Sequence, residues 1–115
     1  MTASITTHIL DTSRGRPAAG VAVTLDRRDA AGQWARVGAG VTDADGRQRA
    51  LVPAGAVLEA GVYRIGFDTG GYFAALGVEG FYPEASVVFT VRDPAEHHHV
   101  PLLLNPFGYS TYRGS

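Results

Sequence analysis

The sequence predicts a mainly β fold, a sandwich of seven or eight short strands with one short α-helix. Three observations predict it. Fifteen glycines and six prolines divide the 115 residues into short apolar runs. Inside those runs apolar and polar side chains alternate with a period of two, the pattern of half-buried strands. Turn-forming clusters such as Asp43-Ala44-Asp45-Gly46 recur between them.

The elements follow in order. Ile5 to Leu10 is a β-branched strand that ends in the polar turn Asp11 to Pro17. Val21 to Asp26 places Val21, Val23 and Leu25 on one face. Gln33 to Gly38 follows an Ala-Gly turn, and Gly61 to Asp68 alternates again. Gly71 to Gly77 breaks the period, because Tyr72, Ala75 and Leu76 at i, i+3 and i+4 suit a short helix. Ser86 to Arg92 turns Val87, Phe89 and Val91 to one side. His97 to Leu104 is the most apolar run, and Tyr109 to Tyr112 adds a last short strand. Without a repeat or a linker, residues 1–115 read as a single domain.

Composition removes several function classes. A chain of 12.1 kDa buries roughly two-thirds of its unfolded surface and so holds a core unaided. It contains no cysteine, which excludes thiolate zinc sites and a cysteine nucleophile. All ten basic residues are arginine, which excludes a lysine Schiff base or a P-loop lysine. Ten arginines against eleven carboxylates, spread along the chain, form no stripe for nucleic acid. No apolar run approaches the roughly 20 residues that span a bilayer. The N-terminus lacks the charged and apolar regions of a signal peptide, so the chain as given reads as cytoplasmic.

Three of the four histidines are consecutive, His97, His98 and His99. Strand parity puts His97, His99, Pro101 and Leu103 on one face. His98, Val100, Leu102 and Leu104 occupy the other, more apolar face, which reads as the core side. Proline cannot donate to a ladder, so Pro101 suggests an edge strand or a bulge. The outward face is apolar for a solvated surface, as a face meeting another subunit would be. From spacing alone, structural, metal-binding and catalytic readings of the run all stand open. His8 alone reads as structural.

The C-terminal run from His97-His98-His99-Val100-Pro101-Leu102-Leu103-Leu104 to Tyr112-Arg113-Gly114-Ser115 closely resembles the signature ending of the 5-hydroxyisourate hydrolases, the transthyretin-like enzymes of urate breakdown. Thr7-His8-Ile9-Leu10-Asp11 with Gly15-Arg16-Pro17-Ala18 is similar to that family's opening motif. Thr42-Asp43-Ala44-Asp45-Gly46-Arg47 and Phe81-Tyr82-Pro83-Glu84 match two further segments. The resemblance implies a transthyretin-like sandwich of two four-stranded sheets. It also implies a homotetramer, a dimer of dimers whose interface holds the active sites. The implied reaction opens 5-hydroxyisourate to 2-oxo-4-hydroxy-4-carboxy-5-ureidoimidazoline in purine catabolism, with neither metal nor organic cofactor. The implied catalytic residues are His8, Arg47, His99 and Ser115. Tyr112, Pro101, Arg113 and Gly114 join His8 and Arg47 as implied substrate contacts. The chain departs from the pattern at His98, where tyrosine is usual, and at Asn105, where serine is common.

These residue types suit that chemistry. Hydrolytic ring opening needs an activated water, a counter-charge for the carbonyl oxygen and a proton for the leaving nitrogen. A neutral imidazole takes and returns a proton near pH 7. An arginine keeps its charge, and its planar fork grips flat, oxygen-rich molecules. Arg47 and Arg49 share a strand face, and only the Asp45-Gly46-Arg47 motif favours Arg47. Ser115 is expected to bring a hydroxyl and a terminal carboxylate, and Tyr112 an aromatic wall. Competing readings are a small-molecule carrier of the transthyretin kind and a purely structural sandwich.

Overall fold

The computed structural model describes residues 4–115. The elements are β1 (Ile5–Asp11), β2 (Arg16–Pro17), β3 (Ala22–Arg28), β4 (Trp34–Val41), β5 (Arg47–Gln48), β6 (Gly61–Phe67), α1 (Thr69–Ala75), β7 (Ala85–Val91), β8 (His98–Asn105) and β9 (Gly108–Thr111). One sheet runs β4-β3-β6-β7. The other runs β2-β1-β8-β9, with β5 also paired to β1. The strong alternations form strands, as expected. The sheets hold four and five strands rather than four each, because β2 and β5 are two-residue pairings that leave no periodicity in the sequence.

The inward positions of both sheets make one apolar core. Val23 and Leu25 of β3, with Val21 just before it, meet Tyr63, Ile65 and Phe67 of β6. Ile5 and Ile9 of β1 and Val100, Leu102 and Leu104 of β8 close it from the other sheet. Each such side chain contributes about 1.5–3 kcal/mol on leaving water. His98 shares that inward parity and is 4% exposed.

Two expectations are corrected. β8 is an interior strand, parallel to β1 on one side and antiparallel to β9 on the other. Pro101 does not mark an edge: β9 ends at Thr111, opposite Leu102, so the position facing Pro101 lies outside that ladder. The Thr111 hydroxyl donates to the Pro101 carbonyl at 2.7 Å instead. The helix also begins two residues early. Asp68 caps it, accepting from the Gly71 amide at 3.0 Å. The helix buries Thr69, Tyr72 and Phe73, and Ala75 and Leu76 face outward.

Tyr72 ties this helix to the end of β1. Its hydroxyl donates to the buried carboxylate of Asp11 at 2.7 Å, beside donations from the Ser13 amide and hydroxyl. Burial raises the Asp11 pKa, but these hydrogen bonds outweigh it and hold the group below its usual 3.8.

Candidate active site

Directly paired residues of neighbouring strands point to the same face. His8 of β1 pairs with Arg47 of β5 and with Pro101 of β8, and Thr6 pairs with His99. One face of the five-stranded sheet, away from the core, therefore carries Thr6, His8, Arg47, His99 and Pro101. Arg49 stands at the same parity just past β5.

Arg47 owes its place to the turn before it. The Asp43 carboxylate accepts the amides of Asp45 at 2.9 Å and Arg47 at 3.0 Å. Gly46 has φ 74°, and a Cβ there would lie 2.5 Å from the Ile9 carbonyl, so only glycine fits. The Gly46 carbonyl in turn accepts the Ile9 amide at 2.8 Å, clamping the turn onto β1. Among the described residues nothing pairs with the Arg47 guanidinium, whereas Arg49 lies 3.5 Å from Asp43. Donors left unpaired at half-buried Arg47 are available to a ligand.

His99 sits in a polar cluster. Its Nδ1 lies 2.8 Å from Thr6 Oγ1, which is also 3.1 Å from His97 Nε2. His97 Nδ1 is 2.6 Å from Ser4 Oγ. Partial burial, followed by the charge of Arg47 and the imidazoles of His97 and His8, holds His99 below the usual 6.5. At neutral pH its ring is thus the free base.

The C-terminal residues lie along β8. The Gly114 amide donates to the His99 carbonyl at 2.9 Å, in register with the β8–β9 ladder across the gap at Pro101. A pocket of about 210 Å³ is lined by Thr6, Thr7, Arg47, Arg49, His97, His99 and Ser115. It brings together three of the four residues expected to be catalytic. His8 stands on the same face beside Arg47 without lining the pocket.

The expected substrate contacts are arranged differently. Pro101 is buried, and a Cβ at Gly114 would lie 3.2 Å from it. Tyr112 and Arg113 line a second, largely apolar pocket of about 230 Å³ with His98, Val87 and Phe89. His98 Nδ1 is buried there with no partner among the described residues. Thr6 lies outside every motif, although its i, i+2 spacing from His8 assigns it to the same strand face. No group of three or more potential metal ligands occurs among the described residues.

The chain resembles known proteins over nearly its whole length. Residues 5–114 match the model of the HIUase/Transthyretin family. A 5-hydroxyisourate hydrolase of Salmonella typhimurium is 47% identical over 111 residues, covering 96% of this chain and 80% of the relative. The structure of Klebsiella pneumoniae 5-hydroxyisourate hydrolase superposes with a TM-score of 0.84 at 38% identity, covering 99% of this chain and all of that one. Sea bream transthyretin in complex with thyroxine gives 0.88 at 38% identity, covering 96% and 93%. With its sandwich and its sequence both matched over nearly the whole chain, it belongs to the HIUase/transthyretin family.

Proposed function

We propose that this protein is an enzyme that hydrolyses 5-hydroxyisourate to 2-oxo-4-hydroxy-4-carboxy-5-ureidoimidazoline in urate degradation. One observation carries the reading: His99, Arg47, whose guanidinium has no partner among the described residues, and Ser115 line one pocket. The full-length similarity to 5-hydroxyisourate hydrolases supports it. His99 takes a proton from water as the oxygen attacks the ring carbonyl, and a C–O bond forms. Arg47 holds the oxygen that gains negative charge. The C–N bond then breaks, and the proton held by His99 passes to the leaving nitrogen. His8, beside Arg47, orients substrate. Ser115 forms one wall, the Gly114 amide ties the tail to His99, and Tyr112 and Arg113 line the neighbouring pocket. No metal or organic cofactor takes part in this scheme.

Four copies assemble as a dimer of dimers in this reading, with the histidine-bearing sheets facing each other. A site shared between subunits would enclose a pocket that one 115-residue chain leaves open. The transthyretin likeness supports a second reading, a binding protein without catalysis, and the exposed tail residue Tyr112 would serve either. The decisive experiment follows the absorbance decay of freshly generated 5-hydroxyisourate with and without the protein. Acceleration that scales with enzyme concentration is expected. Decay at the spontaneous rate would overturn the hydrolase reading and favour the carrier. Analytical ultracentrifugation tests the assembly, and a monomer at micromolar concentration would refute it.

A further inference from the structure

We propose that Thr6 and His97 are positioning residues that hold His99 in the tautomer whose Nε2 is basic, an inference that rests on the hydrolase reading above. Four groups form one hydrogen-bonded row: Ser4 Oγ, His97 through both ring nitrogens, Thr6 Oγ1 and His99 Nδ1. The His97 and His99 rings lie 6.3 Å apart and 16° from parallel, with Thr6 Oγ1 in reach of both. Thr6 is 8% exposed, so water does not replace these contacts freely.

A hydroxyl has one proton to give. If both imidazoles are neutral and every bond in the row is made, the protons can run in only two directions. In one, Thr6 donates to His99 Nδ1 and accepts from His97, which puts the remaining His99 proton on Nε2. In the other, Thr6 donates to His97 Nε2 and accepts from His99 Nδ1–H, which leaves Nε2 with its lone pair.

Arg47 selects between them. Thr6 occupies Nδ1, so Nε2 is the nitrogen left for the pocket that His99 shares with Arg47 and Arg49. Guanidinium groups are donors only, and a lone pair facing them is favoured over an N–H. His8 on β1, His97 ahead of β8 and Ser115 in the tail are the other titratable or polar groups around the ring. His97 then donates from Nδ1 to Ser4, and the row ends on a group that has further lone pairs. The wrong tautomer has no lone pair at Nε2 with which to accept a proton from water.

The test combines wild type with Thr6→Val, Thr6→Ser and His97→Phe. Nitrogen-15 NMR of the imidazoles is expected to find the wild-type His99 proton on Nδ1. Thr6→Val keeps the side-chain shape, and kcat is expected to fall about tenfold or more with KM within about twofold. Thr6→Ser should restore most of the rate. His97→Phe substitutes an exposed position and keeps a stacked ring. It removes the His97 acceptor of the Thr6 hydroxyl, so Thr6 competes for His99 Nδ1 against the bias of Arg47. Part of the proton should then shift to Nε2, and kcat should fall. A wild-type His99 proton on Nε2 would overturn the proposal, as would wild-type kcat and pH profile in both Thr6→Val and His97→Phe. The NMR result stands whether or not the protein accelerates the ring opening, which separates this proposal from the hydrolase reading.

Discussion

The amide of Gly114 donates to the carbonyl of His99 across 2.9 Å, and a side chain at Gly114 would stand 2.5 Å from His99 Cδ2. The tail and the imidazole are therefore fitted to each other at van der Waals contact. Gly114→Ala must displace one of them. A loss of about 10–100-fold in kcat/KM is expected from such a misplacement, with thermal stability little changed. Kinetics and a melting curve check it, and an unchanged rate would detach the tail from catalysis.

Removing Arg113, Gly114 and Ser115 together should follow the same pattern more strongly. Arg113 and Ser115 are exposed and Gly114 is only half-buried, so little apolar contact is lost with them. The pocket loses a wall and the His99 carbonyl loses its donor. A truncated protein that keeps its melting temperature but not its turnover is the expected outcome. Equal losses in both would give the tail a folding role instead.

The depressed pKa of His99 bears on both activity and stability. A base that stays unprotonated below the usual 6.5 puts the acidic limb of kcat/KM below that value. Arg47→Met removes a repelling cation, so the His99 resonance should titrate at higher pH in that variant. The stability effect has the same cause. Unfolded His99 takes up a proton near 6.5 that the folded ring resists, so stability falls as pH drops from 6.5 toward the folded value. His99→Gln should flatten that part of the stability–pH curve.

Tyr72→Phe removes one donor from a buried carboxylate. The expected cost is about 1–3 kcal/mol, read by denaturant unfolding, with turnover unaffected. Asp11 is held below 3.8 in the fold, so its contribution is present above that pH and disappears as pH falls through the lowered value. Without the Tyr72 donor the folded value rises, and acid unfolding should begin at higher pH.

His98 buries an imidazole whose Nδ1 has no partner among the described residues. A buried, unsatisfied nitrogen costs about 1–3 kcal/mol. His98→Phe removes that cost and adds apolar volume beside Val87 and Phe89. A rise in melting temperature at near wild-type activity is expected. A fall would mean that the imidazole has a partner, such as an ordered water, worth more than the added ring.

Much of this was legible in the sequence because a period of two reports which face a side chain takes. Val21, Val23 and Leu25 share a buried face on that basis, and His98, Val100 and Leu102 point inward as their parity predicts. Periodicity says nothing about what lies beside a strand, which is why Pro101 suggested an edge although β8 runs between β1 and β9. The helix face was misjudged because Thr69, polar and adjacent to its cap, gave no apolar signal, yet it is 1% exposed. Arg47 and His99 were nameable only through their motifs. Thr6 belongs to no such motif, and its place between two imidazoles depends on the register of β1 against β8.

That register joins the two ends of the chain: Thr6 and His99 are 93 positions apart, and they meet in a parallel pairing. Contacts of such separation form late, because the intervening polypeptide must first lose most of its conformational freedom. Recovery of activity after dilution from denaturant should therefore lag behind the fluorescence of Trp34, which sits on a hairpin of neighbouring strands. Catalysis would then report on the completion of folding, since no half-folded species has both walls of the pocket.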